Sequence, residues 1–394
     1  MKKVVFNIIT FLCIAACSSN KEQDNLITIH LDPTSRQTVN WEQLFDTASM
    51  QVIPLETIDQ SLLAWVDKVI ITDTVYSFSS NNSIYTFNQN GNFLFKIAHQ
   101  GRGPGEYLVL DDFYIDEDNH YYILDNNSFK IIEYSSKGEF INEINTGLFG
   151  LAFTKVSNDL WAIYIGSSKS PDSHCRLNYF SKQEKKIIHE FIEISDNELN
   201  WRHFKDNNNF IHRDAKNLFF TYSLNDTIYQ LTEKELIPCY RFECGKYQIP
   251  QKVLKESYND VSDFIEMIKN HDYVTRITPV HLTDKEVMFG FQYQDDYLHS
   301  LYQRHTTTII NHYQNFLGIP HFSISTQEAI FPSGYQNDYF YYLIDPAFIP
   351  DKFKNTFSHM HKLPKLEDNS NPMLLKIKLL YCNICLGDVF HISP

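Results

Sequence analysis

The chain has 394 residues, 43% of them hydrophobic, and carries 48 Asp and Glu against 34 Lys and Arg for a formal net charge of −14. An acidic balance without a basic stripe speaks against nucleic acid or anionic lipid as the main partner; the cluster at 182–186 (KQEKK) is short and interrupted by Glu184. Aromatic residues reach 15%, with 30 Phe and 24 Tyr but only 13 Gly, a bias that favours strands over helices.

At the N-terminal end, Lys2 and Lys3 precede a 13-residue apolar run at 4–16 (VVFNIITFLCIAA). That run is too short for a membrane span, which needs about 20 apolar residues, and reads as a secretory signal. Ile14-Ala15-Ala16-Cys17 matches a lipobox, an aliphatic residue and two small ones before cysteine. The expectation is a signal peptide over 1–16, cleavage before Cys17, lipid on its thiol and a polar tether at 17–25. Loss of Lys2 and Lys3 takes the charge from −14 to −16. The predicted location is the cell envelope, lipid-anchored at the outer membrane and facing the periplasm or the cell surface.

Of seven cysteines, Cys13 leaves with the signal and Cys17 takes the lipid, so Cys175, Cys239, Cys244, Cys382 and Cys385 remain. An odd number leaves at least one free or paired with another chain. The CxxC at Cys382 and Cys385 has neither a second pair to complete a zinc site nor a βαβ setting for redox chemistry.

Internal repetition is the strongest signal beyond the leader. Residues 69–97 and 113–144 each read as four strands separated by a tight turn, a polar break and a turn with glycine. Asn81-Asn82-Ser83 recurs 45 residues on at Asn126-Asn127-Ser128, and Gly91-Asn92-Phe93 recurs 47 residues on at Gly138-Glu139-Phe140. A period in the forties with four strands per unit is propeller spacing. One such sheet cannot bury both faces alone, so blades stack around a channel and cover each other. Fainter blades follow at 160–192, 217–242, 287–313, and 339–344 with 373–380, while 250–270 and 346–365 read as helical or irregular insertions. Residues 27–31 (ITIHL) and 51–55 (QVIPL) are predicted to supply a strand that closes the ring against the last blade, removing exposed sheet edges.

GRGPGEY at 101–107 follows the strand and turn GNFLFKIAHQ. Asn225-Asp226-Thr227-Ile228-Tyr229 precedes a strand at 239–245, and Asn371-Pro372-Met373-Leu374-Leu375 opens the final strand. With these stretches the chain resembles the six-bladed β-propeller lipoproteins of Bacteroidota, NHL-repeat-like propellers of largely uncharacterised function. The resemblance covers most of 27–380. It implies an all-β, six-bladed β-propeller with four-stranded antiparallel blades over 26–380, and lipid anchoring, but little chemistry. The tail at 381–394 runs past the family's last strand.

Candidate binding residues are Arg102, Glu106, Tyr107, Asp111 and Asp112. Arg102 and Glu106 would present charge from a rim loop, although three glycines and Pro104 also suit a sharp crossover with Glu106 capping backbone amides. Glu106, Asp111 and Asp112 precede an inner strand and could hold calcium, which wants several oxygen ligands; no such residues recur at the other blade entries. No cofactor and no metal ligand set is expected otherwise. His359-Met360-His361, His203 and His212 lack a carboxylate at diagnostic spacing, and no HExxH or GxSxG is present. Trp41, Trp65, Trp161 and Trp201 would either stack on sugars or pack between blades. The functional expectation is an envelope-anchored binding module for a glycan, peptide or protein partner. The alternatives are a metal-dependent hydrolase or lyase at the channel mouth and a scaffold subunit of an envelope complex.

Overall fold

A computed structural model describes residues 26–35, 39–40, 44–168, 170, 172–198, 209–213, 217–306, 308–311, 313–314, 332–349, 354–355, 358–359, 366–367 and 369–380. The expected signal and tether with Cys17, the tail with Cys382 and Cys385, and Trp41, Trp201, His203, Met360 and His361 lie outside these residues.

Strands rich in aromatic and aliphatic residues, with serines interleaved in the first, make the second strand of each early blade. Val75–Ser80, Tyr121–Asp125 and Leu160–Tyr164 are buried on both sides almost throughout, as strands sandwiched between neighbouring sheets must be. Blade 1 comprises Val66–Ile71, Val75–Ser80, Ser83–Asn88 and Phe93–Ile97; blade 2 comprises Asp112–Ile115, Tyr121–Asp125, Lys130–Tyr134 and Phe140–Asn145. Blade 3 holds Ala152–Lys155, Leu160–Tyr164, Cys175–Ser181 and Lys186–Glu193, and blade 4 holds Phe210–His212, Leu218–Phe220, Thr227–Leu231 and Leu236–Glu243. Blade 5 is Val274–Leu282, Glu286–Tyr293, Asp296–Gln303 and Thr308–Asn311; blade 6 is Gly334–Gln336, Tyr339–Ile344, Met373–Leu379 and Phe45–Pro54. The fold is the expected six-bladed propeller of four-stranded antiparallel blades.

Turn chemistry explains the repeats. Asn81 and Asn82 adopt φ of 45° and 55°, the left-handed pair that a two-residue hairpin requires. Gly91 sits where a Cβ would stand 2.1 Å from the Pro54 carbonyl oxygen, because the outer hairpin of blade 1 abuts the outermost strand of blade 6. Gly138 repeats the arrangement, its backbone against Phe95 and Ile97 of blade 1. Between blades, Tyr122 and Leu124 interlock with Phe153, Trp161 and Ile163. Each fully buried large side chain there contributes about 1.5–3 kcal/mol. Trp161 is therefore a packing residue, whereas Trp65 is 67% exposed.

Ring closure corrects one expectation. Phe45–Pro54, longer than the predicted 51–55, pairs antiparallel with Met373–Leu379 from Met373↔Pro54 to Leu379↔Phe45. Phe45 is fully buried, edge-on to Phe340 and Tyr342. Ile27–His30 does not take part. It adds to blade 4 as a fifth strand, parallel to Leu236–Glu243, because Ile29 and Leu31 find their burial beside Phe242 and Phe289. Val39–Asn40 then pairs parallel with Tyr313–Gln314. The N-terminal segment is thus fastened at three successive places along the outside of the ring.

Alternating strand direction gives the ring two distinct faces. Hairpins joining first to second and third to fourth strands form one, here the hairpin face. The second-to-third hairpins and the crossovers between blades form the other, the crossover face. The predicted insertion at 250–270 lies on the crossover face as helices α1 (Gln251–Leu254) and α2 (Val261–Lys269). Asp260 caps α2 by accepting from the Ser262 and Asp263 amides, and Phe264 packs on Ile249, Val253 and Leu254.

Candidate functional site: the central channel

First strands of all six blades surround a cavity of about 1460 Å³, larger than the roughly 300–1,000 Å³ of an ordinary small-molecule pocket. Its walls are drawn together by side chains far apart in sequence. Lys68 of blade 1 donates to Asp112 Oδ1 at 2.7 Å and to the Phe113 carbonyl at 2.9 Å. The other oxygen of Asp112 accepts from the Phe153 amide at 3.0 Å. One carboxylate behind the wall therefore ties blades 1, 2 and 3.

His212 of blade 4 stacks on Tyr114 of blade 2 and lies 2.9 Å from Thr154 Oγ1 of blade 3. Its ring is open to the cavity yet enclosed by protein. Desolvation, with a smaller contribution from the Lys68 charge, lowers its pKa to about 4. His281 of blade 5 is buried, and its Nε2 sits 2.9 Å from the Pro332 carbonyl. A carbonyl can only accept, so that nitrogen carries the proton. Burial lowers the His281 pKa to about 4 against the opposing pull of that hydrogen bond. Both rings are neutral at neutral pH.

At the hairpin face the channel mouth is latched blade to blade. Asp73 accepts from Gln336 and Asn337 of blade 6 at 2.9 and 2.7 Å, bonds that hold its carboxyl below the usual range. Thr74 donates to Asn119 at 2.8 Å, and Lys155 lies 3.6 Å from Asp116. Asp116 is also held by the Asp118 and His120 amides and by the Tyr122 hydroxyl. The remaining lining includes the neutral Thr72, Ser157, Asn158, Gln230 and Thr232 and the charged Asp67, Glu117, Glu233 and Arg276.

The five candidates read from the sequence stand elsewhere. All lie between 102 and 112 on the crossover face, and none lines the cavity. Arg102 is exposed. Glu106 accepts from the Gly103 amide at 2.7 Å, and Asp111 from the Asn126 amide at 2.8 Å. Tyr107 is fully buried rather than presented on a rim, its hydroxyl donating to the Asn82 and Ile97 carbonyls, because its ring fills the seam between blades 1 and 2. The three carboxylates thus serve separate donors and do not converge. Among the described residues no three His, Cys, Asp or Glu side chains stand close enough to hold a metal ion. Cys175, Cys239 and Cys244 are free thiols, and no described helix is long and apolar enough to cross a membrane.

Asn371 shows what the distinctive motifs do. Nearly buried, it accepts from the Leu63 amide and donates to the Glu56 and Ser61 carbonyls. It thereby fixes the loop at 55–65 that leads into blade 1. Tyr107 likewise fixes the crossover into blade 2.

The family model described as Domain of unknown function (DUF4934) matches residues 26–378. The chain belongs to that family. Among solved structures, this DUF4934 member is similar to a protein of Bacteroides fragilis described as exported. The TM-score is 0.71 at 19% identity, over 90% of this chain and 99% of that one. A DUF4221 family member from Bacteroides vulgatus gives a TM-score of 0.51 at 11% identity, over 85% and 97% of the two chains. At those identities the likeness is one of fold. No curated protein sequence matches the chain.

Proposed function

We propose that this DUF4934 member is a lipoprotein of the cell envelope, attached to the outer membrane through Cys17, whose propeller binds a glycan, peptide or protein partner at its channel. One observation carries the binding reading: six first strands enclose a wide channel in which three of the lining charges are partnered internally. Lys68 is matched by Asp112, Lys155 by Asp116, and Asp73 by two side-chain amides. The lumen also presents neutral donors and acceptors beside the rings of Tyr114 and Phe153, together with Asp67, Glu117, Glu233 and Arg276. Such a mixed surface, with more free acids than bases, suits a guest rich in hydroxyl or amide groups and suits a polyanion poorly.

The test is to pass the full detergent-purified chain over glycan and peptide arrays and to titrate the hits by calorimetry. Thr154→Val or Asn158→Ala should weaken a true channel ligand about tenfold, the value of one neutral hydrogen bond of roughly 1.4 kcal/mol. Hits indifferent to both substitutions would remove the channel from the proposal. The anchor is checked separately, by intact mass, as acyl chains lost in Cys17→Ser.

A further inference from the structure

Ring side chains from blades 2, 3 and 4 meet at one place on the channel wall. His212, the last residue of the inner strand Phe210–His212, stacks on Tyr114 with ring centroids 5.7 Å apart and planes 28° from parallel. Tyr114 is held edge-on in its turn by Phe153 and Trp161, at 6.5 and 6.0 Å, both almost fully buried. Thr154, also buried, fixes one edge of the imidazole at 2.9 Å. The imidazole is thus braced from behind and along one edge, yet it is exposed and lines the cavity. A ring held this firmly loses little freedom when a guest covers it. It is also neutral at neutral pH, its pKa lowered to about 4 by desolvation, so C–H groups can cover it without desolvating a charge.

Polar side chains stand around this ring. His212 pairs with Leu218 and Leu218 with Leu231, so the turn after Leu231 brings Thr232 and Glu233 to the hairpin-face end of the same blade. Gln230 reaches back to Asn217 at 3.4 Å. Blade 3 adds Asn158 from the turn that follows Thr154. Asn158, Gln230, Thr232 and Glu233 all line the cavity. The result is a flat ring with a rim of donors and acceptors.

A pyranose divides in the same way, into a C–H face and a rim of hydroxyls. Each hydroxyl donates one hydrogen and accepts at two lone pairs, so it satisfies an amide, another hydroxyl or a carboxylate alike. Glu233 accepts from such a hydroxyl and repels an acidic sugar. An extended peptide is held in another way, by adding to the edge of a strand. The inner strands here have only four residues in blade 3 and three in blade 4, too short an edge for that. A cavity of about 1460 Å³ has room for several sugar units.

We infer that the channel takes a neutral glycan, one of whose pyranose rings lies on the His212–Tyr114 stack between blades 2, 3 and 4. The inference rests on the channel-binding reading above and narrows its guest to one class. His212 supplies the contact surface, and Tyr114 and Thr154 hold it in position.

The experiment screens the full detergent-purified chain on arrays of neutral oligosaccharides and of peptides, and titrates the hits by calorimetry against His212→Ala, His212→Phe and Asn158→Ala. Matching melting curves establish that the variants are folded. A neutral oligosaccharide should bind about tenfold more weakly to His212→Ala, and His212→Phe, which keeps a ring on Tyr114, should restore most of that loss. A Phe variant as weak as the Ala variant would assign the effect to an imidazole nitrogen and overturn the platform. A glycan weakened by Asn158→Ala and indifferent to His212→Ala sits elsewhere in the channel and overturns it too. Absence of any neutral-glycan hit overturns the inference as a whole. Peptide hits sensitive to Asn158→Ala would in that case leave the channel reading standing, whereas hits indifferent to all three substitutions would end both.

Discussion

The hairpin face and the crossover face are made from the same strands and differ in what joins them. Hairpin-face turns are short and polar, and their side chains latch neighbouring blades, as Asp73 does with Gln336 and Asn337, Thr74 with Asn119, and Lys155 with Asp116. The crossover face carries longer connections, two helices and most of the exposed apolar side chains. A hairpin must match the twist of the strands it joins, which leaves little choice of residue. A crossover has only to travel from the rim back to the axis, so its length and surface are free to serve something else.

Four measurements would break or sharpen this contrast. The largest effect should come from the frame that both faces share. Phe45→Ala empties a fully buried site in the closing strand and should cost about 3–5 kcal/mol, read by urea denaturation of the full chain. A loss below about 1 kcal/mol, the level of ordinary substitutions, would mean that Phe45–Pro54 does not hold the ring shut.

Acid should act on the channel wall next. His281 and His212 have pKa near 4 in the fold against an ordinary 6.5, so between those values the unfolded chain binds more protons. Stability is then full above about pH 6.5 and is lost as pH falls towards 4. The buried His281 accounts for roughly 3 kcal/mol of that loss, and His212, open to the cavity, for less. His281→Leu should flatten the profile, and a profile it leaves unchanged would reassign the acid sensitivity.

Two glycines then compare the faces directly. Gly91, on the hairpin face, has φ +82 and the Pro54 carbonyl where its Cβ would be; Gly245, on the crossover face, has φ +55 and nothing within 4 Å. Gly91→Ala should cost the left-handed penalty of about 1–2 kcal/mol and a backbone shift besides, whereas Gly245→Ala should cost only the penalty. Equal losses in thermal melts would refute the claim that hairpin turns are the tighter packed. The smallest effect belongs to Trp65→Ser, expected within about 0.5 kcal/mol of the unsubstituted chain. A large loss would make Trp65 part of the core and not a surface side chain.

Much of the frame was legible in the residues. The apolar runs at Tyr121–Asp125 and Leu160–Tyr164 announce strands covered on both faces, and Asn81-Asn82 announces the hairpin from Val75–Ser80 to Ser83–Asn88. Inner strands were harder to see. Ala152–Lys155, Phe210–His212 and Gly334–Gln336 have three or four residues each, too few for an alternation to stand out. The site was harder still. Lys68, Tyr114, Thr154, His212 and His281 come from five blades and share no motif. The conspicuous GRGPGEY, by contrast, turned out to hold a crossover loop in place.

The sequence by itself determined the longer strands of the early blades, their turns, the repeat and the family, because propensity, apolar pattern and turn chemistry act over a few neighbouring residues. Only the tertiary structure decided that Ile27–His30 joins blade 4 while Phe45–Pro54 closes blade 6, and which groups meet across the channel. Those choices depend on which distant surface buries each strand, and burial of that kind exists only once the ring is closed.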